Sequence, residues 1–277
     1  MEFEVNLPYE TVENIPSDQL RMSINRVVRC GWNGVVLTVN VTTMNKYPPP
    51  PDPLTLSDAS SASIRRSYGL CVLSDYPKFP QFTRLNLITD NIQEIHQLSR
   101  HLNTIRYDLI SVTPLTDSVF KAACSSADID ILSIDVSKYQ PISCWKELKS
   151  LVNRGVAIEL QYSMFLQTDS KMKSLISAAA SICHATKGRH GKDRIILLGC
   201  GSNDPDFIRS PSDIRNLARL LGLPKVETLT NTAVRDVVAK GMARKANAGT
   251  VRRMKERILE QSDDSDDFID FVVKKTA

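Results

Sequence analysis

The sequence predicts an α/β protein with a mainly parallel sheet, and three observations lead there. Seven short β-rich runs recur along the 277 residues. Each is followed by a helical segment or a loop. Some runs, such as Gly34-Val35-Val36-Leu37-Thr38-Val39, lack polar alternation, as strands covered on both faces do. Repeated β–α units imply parallel strands joined by right-handed crossovers. Seven strands fit a TIM-like (β/α) barrel with one short or irregular strand, expected near Val226 to Leu229. An open doubly wound sheet is the alternative, and spacing alone does not separate the two.

The first run, Phe3 to Leu7, ends at Pro8. Ser17 is placed to cap a helix from Asp18 to Cys30, with Leu20, Ile24, Val27 and Val28 on one face and Gly31 as its stop. The strand from Gly34 follows. Strands are then expected at Arg84–Thr89, Leu109–Val112, Ile129–Ile134, Val156–Leu160 and Arg194–Gly199. Helices are expected from Asn91 to about His101, Asp117 to Cys124, Cys144 to Arg154 and, alanine-rich, Ser170 to Thr186. Ser212 or Asp213 starts another, which ends at Gly222, and the last covers Ala233 to Lys240.

Two segments break the rhythm. Residues 43–58 contain Tyr47-Pro48-Pro49-Pro50-Pro51-Asp52-Pro53, which lacks the amide donors of a helix or interior strand and reads as an extended surface loop. It is either a tolerated insertion, the favoured reading, or a docking segment. The domain plan is thus a barrel over 1–240 and a flexible charged tail over 241–277. Lys240, Arg244, Lys245, Arg252, Arg253, Lys255 and Arg257 form a basic block. The acidic stretch Ser262–Asp270 follows, so the net charge of +4 conceals a polarised C-terminus.

The composition, 42% hydrophobic and 24% charged, is that of a globular protein. No apolar run nears the roughly 20 residues of a membrane helix, and no secretory signal is visible, so a cytosolic or nuclear location is expected. Six scattered cysteines without a C-x-x-C pair read as reduced, mostly buried thiols. The four histidines, His96, His101, His184 and His190, form no H-x-H or H-E-x-x-H and read as surface or capping residues. Gly199-Cys200-Gly201-Ser202 reads as a tight turn before it reads as a phosphate loop. Glu159, in an apolar strand, is a satisfied buried carboxylate or a strand-end residue before it is a base. Arg209, just before a helix, contacts a phosphate or pairs with Asp213, and spacing leaves both open.

An ordered series of segments resembles the TIM-barrel protein subunit family of ribonuclease P and ribonuclease MRP. The segments are Phe3–Pro8, Gly31–Leu37, Thr83–Leu87, Val152–Ser163, Asp206–Pro211 running into Asp213–Leu217, Leu221–Pro224 and Leu229–Ala233. Glu4 stands where that family commonly has Asp. The resemblance spans about Glu2 to Arg244 and leaves out the proline-rich insertion and the acidic tail. It implies a fold related to metal-dependent phosphoesterases but without their ligands, and the missing H-x-H agrees independently.

The resemblance further implies a non-catalytic subunit that supports a catalytic RNA. That RNA, using bound magnesium, removes 5′ leaders from precursor tRNA, and the MRP particle cleaves precursor rRNA. No cofactor is implied for the chain itself and no metal site. The implied partners are ribonuclease P RNA, MRP RNA, a small ferredoxin-like subunit and other proteins of the particle, with precursor tRNA met indirectly and no membrane. The implied location is the nucleus, with the nucleolus expected. Candidate RNA-contacting residues are Arg84, Arg154 and Arg209 on the barrel and Arg244, Lys245, Arg252, Arg253 and Lys255 in the tail, acting on backbone phosphates. Arg154 also has a plain helix-dipole reading, and the tail that of a solvated amphipathic helix. The alternative function is a free-standing barrel phosphoesterase built on Glu4, Asp90, Asp135 and Glu159.

Overall fold

The computed structural model describes residues 2–12, 15–43, 47–52, 54, 79–98, 104, 106–140, 145–186 and 195–247. Among these, seven strands form one parallel sheet in chain order. They are β1 (Phe3–Pro8), β2 (Gly34–Val41), β3 (Gln81–Thr89), β4 (Leu109–Pro114), β5 (Ile131–Ile134), β6 (Ala157–Gln161) and β7 (Ile196–Gly199). Since every strand pairs with its sequence neighbours, the sheet curls until β7 lies beside β1. The result is a nearly closed barrel with helices outside, not an open doubly wound sheet. The period-two alternation divides the strands' side chains. Val35, Leu37, Leu85, Leu87, Ile110 and Leu160 face the helices. Phe3, Val36, Phe82, Leu109, Ile131 and Leu197 fill the interior at the end where the strands begin.

The outer helices are α1 (Asp18–Arg29), α2 (Ile92–Gln97), α3 (Asp117–Ser125), α4 (Trp145–Asn153), α5 (Ser163–Gln167), α6 (Asp169–Ala185) and α7 (Pro211–Leu220), and α8 (Thr232–Asn247) ends the described chain. Ser17 caps α1 by accepting the Leu20 N–H at 3.1 Å, and Gly31, at φ 89°, follows its end. α7 begins earlier than expected. Ser210 and Asp213 form a reciprocal capping box, and Pro211 takes the first helical position, where no amide donor is needed. The short helix α5 is not legible in the sequence, because its five residues carry too little period to register.

Two expectations are corrected. There is no eighth strand near Val226 to Leu229; Val226–Thr228 is a single 3-10 turn. Lys225 sits at φ 54°, and the Thr228, Leu229 and Asn231 amides bond backward to Lys225, Val226 and Thr228, so local turns take the donors a ladder would use. The last helix also does not stop at Lys240. It continues to Asn247 and lies across the strand-beginning end of the barrel, adding Val234, Val237 and Val238 to the apolar interior cluster. The early part of the expected tail, with Arg244 and Lys245, is therefore packed structure. Residues 248–277 lie outside the described residues.

The proline-rich stretch is laid against the barrel where it is described. Tyr47 and Leu54 are buried, the Tyr107 hydroxyl donates to the carbonyls of Pro48 and Pro49 (3.1 and 3.2 Å), and the Gln81 amide brackets Leu54. Among the described residues no helix is long and apolar enough to cross a membrane.

The seating of α8 depends on Gly241. A Cβ there would meet the Asp108 carbonyl oxygen at 2.4 Å and Leu109 at 2.6 Å. Gly241→Ala is expected to destabilise the fold by about 1–3 kcal/mol, because the obstacle is backbone that has nowhere to move. Urea denaturation checks this, and an unchanged midpoint would contradict the seating.

Candidate nucleic-acid interface

Above the apolar layer the barrel interior turns polar. Arg84 on β3 crosses it to Glu159 on β6, with Nη1 and Nη2 donating to the two carboxylate oxygens at 2.8 and 2.5 Å. Nε donates to Ser111 Oγ (2.7 Å), and Nη1 also reaches the Val5 carbonyl (3.2 Å). Both side chains are 0% exposed. Ser111 passes the network on to Asn86 (2.8 Å), which also bonds Thr113 and Asn40. Gly199 on β7 leaves the room, since a Cβ there would lie 2.4 Å from Glu159 Oε1. Arg84 is therefore withdrawn as an RNA contact: it is enclosed, and its donors are committed to the barrel. Glu159 is the satisfied buried carboxylate.

The seam between β1 and β7 has no ladder. Glu4 occupies it, accepting the Cys200 N–H (2.8 Å), the Asn6 N–H (3.2 Å) and the Tyr162 hydroxyl (3.0 Å). The Gly201 N–H donates to the Asn6 carbonyl at 2.9 Å. The amides of the Gly199–Ser202 turn thus serve β1 and are not held out for a phosphate. Burial pushes the Glu4 carboxyl up to about 7, against the lowering effect of its hydrogen bonds. Burial likewise raises the Tyr162 hydroxyl well above its usual range and the Cys200 thiol to about 12.

The other carboxylates considered for a hydrolase do not gather into a site. Asp135 is tied to Ser137 and Lys138, and Asp90 is exposed. Among the described residues no group of three His, Cys, Asp or Glu is placed to hold a metal. His96 and His184 are exposed in the last turns of α2 and α6. Cys30, Cys124, Cys183 and Cys200 are not joined in disulfides.

The remaining candidates are spread over the molecule. Arg154, after α4, donates to the carbonyls of Cys124, Ser125 and Ser126 at the end of α3, so its side chain serves the C-terminus of a neighbouring helix. Arg244 bonds Asp130 Oδ2 (2.9 Å) and the Asp108 carbonyl (3.2 Å), and Lys245 bonds Asp108 Oδ1 (2.7 Å). Both fix α8 to the barrel. Burial raises the Asp130 carboxyl, and Arg244 opposes that shift. Arg209 is held through its backbone: its N–H reaches Tyr162 Oη (3.4 Å) and its carbonyl accepts Trp32 Nε1 (2.9 Å). Its guanidinium bonds the Asp206 carbonyl (2.7 Å), while Asp213 is engaged in the capping box. Arg252, Arg253 and Lys255 lie outside the described residues.

The sequence reading misses Arg26 and Arg29, exposed on the last turn of α1. Their basic character is legible, but their position beside Arg209 is not.

Comparisons with known proteins agree with this architecture. The sequence model of the family described as RNase P subunit p30 matches residues 1–246. The chain is 25% identical over 264 residues to ribonuclease P protein subunit drpp30 of Dictyostelium discoideum, covering 91% of this chain and 70% of the relative. It is 27% identical over 186 residues to ribonuclease P protein subunit p30 of Mus musculus, covering 66% and 68%. It is 23% identical over 230 residues to ribonuclease P/MRP protein subunit RPP1 of Saccharomyces cerevisiae, covering 80% and 73%. In fold it resembles a chain of a cryo-EM structure of archaeal ribonuclease P with mature tRNA, with a TM-score of 0.59 at 14% identity, covering 90% of this chain and 95% of that one.

The buried pair and the seam each set a stability outcome. Arg84→Met strands a buried carboxylate and is expected to cost about 3–5 kcal/mol, whereas Arg84→Met with Glu159→Leu is expected to recover part of the loss. Denaturant titration of the single and double variants measures the coupling. The second outcome concerns pH. Folding raises the Glu4 carboxyl from 4.5 to about 7, so between these values the folded state holds a proton that the unfolded state has released. This contribution is full below pH 4.5 and is lost as pH rises through about 7. Glu4→Gln is expected to flatten that part of the stability–pH curve, and an unaltered curve would contradict the assignment.

Proposed function

The chain belongs to the RNase P subunit p30 family, and on that premise we propose that it is a non-catalytic, RNA-supporting subunit of the ribonuclease P and ribonuclease MRP particles. The observation that carries the reading is the match of the family model to residues 1–246, which takes in the whole barrel and all but the last residue of α8. In such a particle the RNA performs the phosphodiester hydrolysis with magnesium, and the protein holds it in shape. The outcome is 5′ leader removal from precursor tRNA and, in the MRP particle, cleavage of precursor rRNA. The particle is of the nuclear type, and within the nucleus we assign the chain to the nucleolus.

The chemistry of the barrel supports a supporting role. Its interior carboxylates are engaged: Glu159 with Arg84, Glu4 in the seam, Asp130 with α8. A hydrolytic site needs convergent groups left available for substrate or metal. The partners we propose are the two RNAs, a small ferredoxin-like subunit and further proteins of the particle. The chain's contribution to RNA affinity comes from phosphate contacts, with Arg209 and the basic residues after α8 as the leading candidates.

Affinity purification of the tagged chain is expected to recover both ribonuclease P RNA and MRP RNA. The isolated chain is expected to leave precursor tRNA intact in magnesium or zinc. Protein-only cleavage would overturn the reading. For the tail, the informative truncation is after Asn247, because a cut at Lys240 would remove the last turns of α8 together with the Arg244–Asp130 pair. The chain ending at Asn247 is expected to bind ribonuclease P RNA more weakly and with a shallower salt dependence than the full chain. An identical salt slope would take the tail out of the RNA interface.

A further inference from the structure

Arg84, Arg215, Arg219, Arg244, Lys138 and Lys245 each pair with a carboxylate in place. The last turn of α1 brings two further basic groups to the surface. Arg26 and Arg29 are one turn apart there and both exposed. That turn is pinned to the 208–209 segment. Trp32 Nε1 donates to the Arg209 carbonyl at 2.9 Å, and the Cys30 thiol lies 3.9 Å from the Ile208 carbonyl. The half-buried Cys30 therefore lies within electrostatic reach of Arg26, Arg209 and Arg29, and of one carboxylate, Asp213.

Among the described residues neither Arg26 nor Arg209 is in an ion pair. The acidic groups beside Arg209 are Asp213 and Asp206. Asp213 is held by Ser210, and Asp206 offers Arg209 only its backbone carbonyl. The Arg209 backbone is clamped between Tyr162 and Trp32, which fixes where its side chain leaves the main chain, and its guanidinium rests on the Asp206 and Ile208 carbonyls. The patch is thus three guanidinium groups from two separate elements, on a rigid base. Guanidinium forks match phosphate oxygens in pairs, which distinguishes such a patch from a scatter of solvated lysines.

We propose that Arg26, Arg29 and Arg209 form one docking patch for the backbone phosphates of RNA. The proposal rests on the reading of the chain as an RNA-supporting subunit and names the surface that carries it. Phosphate contacts of this kind supply affinity and orientation without reading sequence.

The test uses the full chain and labelled ribonuclease P RNA, with affinity measured across a salt series. Arg26→Gln with Arg29→Gln, and Arg209→Gln separately, are compared with a control, Lys121→Gln with Lys146→Gln. These lysines are exposed on α3 and α4, away from the patch. Each patch arginine removed is expected to reduce the magnitude of the salt slope by about one, and the double change to weaken binding at least about tenfold. The control pair is expected to leave the slope near that of the wild type. RNA is also expected to slow alkylation of Cys30 more than that of Cys183, a second half-buried thiol, on α6. Normal RNA binding by the patch variants, with no protection of Cys30, overturns the patch and leaves the RNA-supporting reading standing. Normal RNA binding with failed incorporation into the particle makes the surface a protein-docking face and also overturns it. If the wild-type chain contacts RNA neither alone nor by crosslinking in the particle, both readings fall.

Discussion

The Arg84 guanidinium spans the barrel interior from β3 to Glu159 on β6, and the layers on either side are arranged around that contact. Below it the interior is apolar and closed by α8; above it, Ser111, Asn86, Thr113 and Asn40 continue a hydrogen-bonded column. Two charges this deep are costly to desolvate, and the pair is tolerated because both carboxylate oxygens and three guanidinium nitrogens are satisfied. Gly199 is part of the same arrangement, because any side chain on β7 at that point would displace the carboxylate. The chemistry that a barrel might direct at a substrate is here directed inward.

The same inward use of polar groups governs the seam. Among the described residues the barrel has seven strands and no eighth, which leaves β1 and β7 with facing edges that no ladder joins. Glu4 substitutes a side chain for part of a ladder by taking two backbone amides, and Tyr162 holds its other oxygen. Tyr162 also receives the Arg209 amide, so the seam and the arginine patch share one fixed point. A carboxyl whose proton affinity rises on burial is the consequence of closing the seam in this way. At the opposite end α8 does the closing. Its valines cover the apolar layer, Gly241 permits close approach to β4, and Arg244 and Lys245 anchor it to Asp130 and Asp108.

Much of the fold is legible because it rests on local chemistry. Runs such as Gly34–Val39 announce buried parallel strands, and Ser17 and Gly31 mark the ends of α1 through hydrogen-bonding and backbone freedom that need no tertiary context. The site is less legible. Arg84 looks like a phosphate ligand because a sequence shows its charge but not the carboxylate seventy-five positions later that meets it. Arg26 and Arg29 look like an ordinary helix terminus because only the fold brings Arg209 beside them.

By itself, then, the sequence determined the order of the seven strands and the longer helices, the Ser17 cap and the family, each of which is written in short segments. The tertiary structure decided which charges hold the barrel together and which face solvent. It turned Arg84, Arg244 and Lys245 toward carboxylates, made α8 a closing element instead of the start of a tail, and left the α1 arginines facing outward. The physical reason is that a charge's role depends on what lies within a few ångströms of it, and in a barrel those neighbours come from strands and helices far apart in the chain.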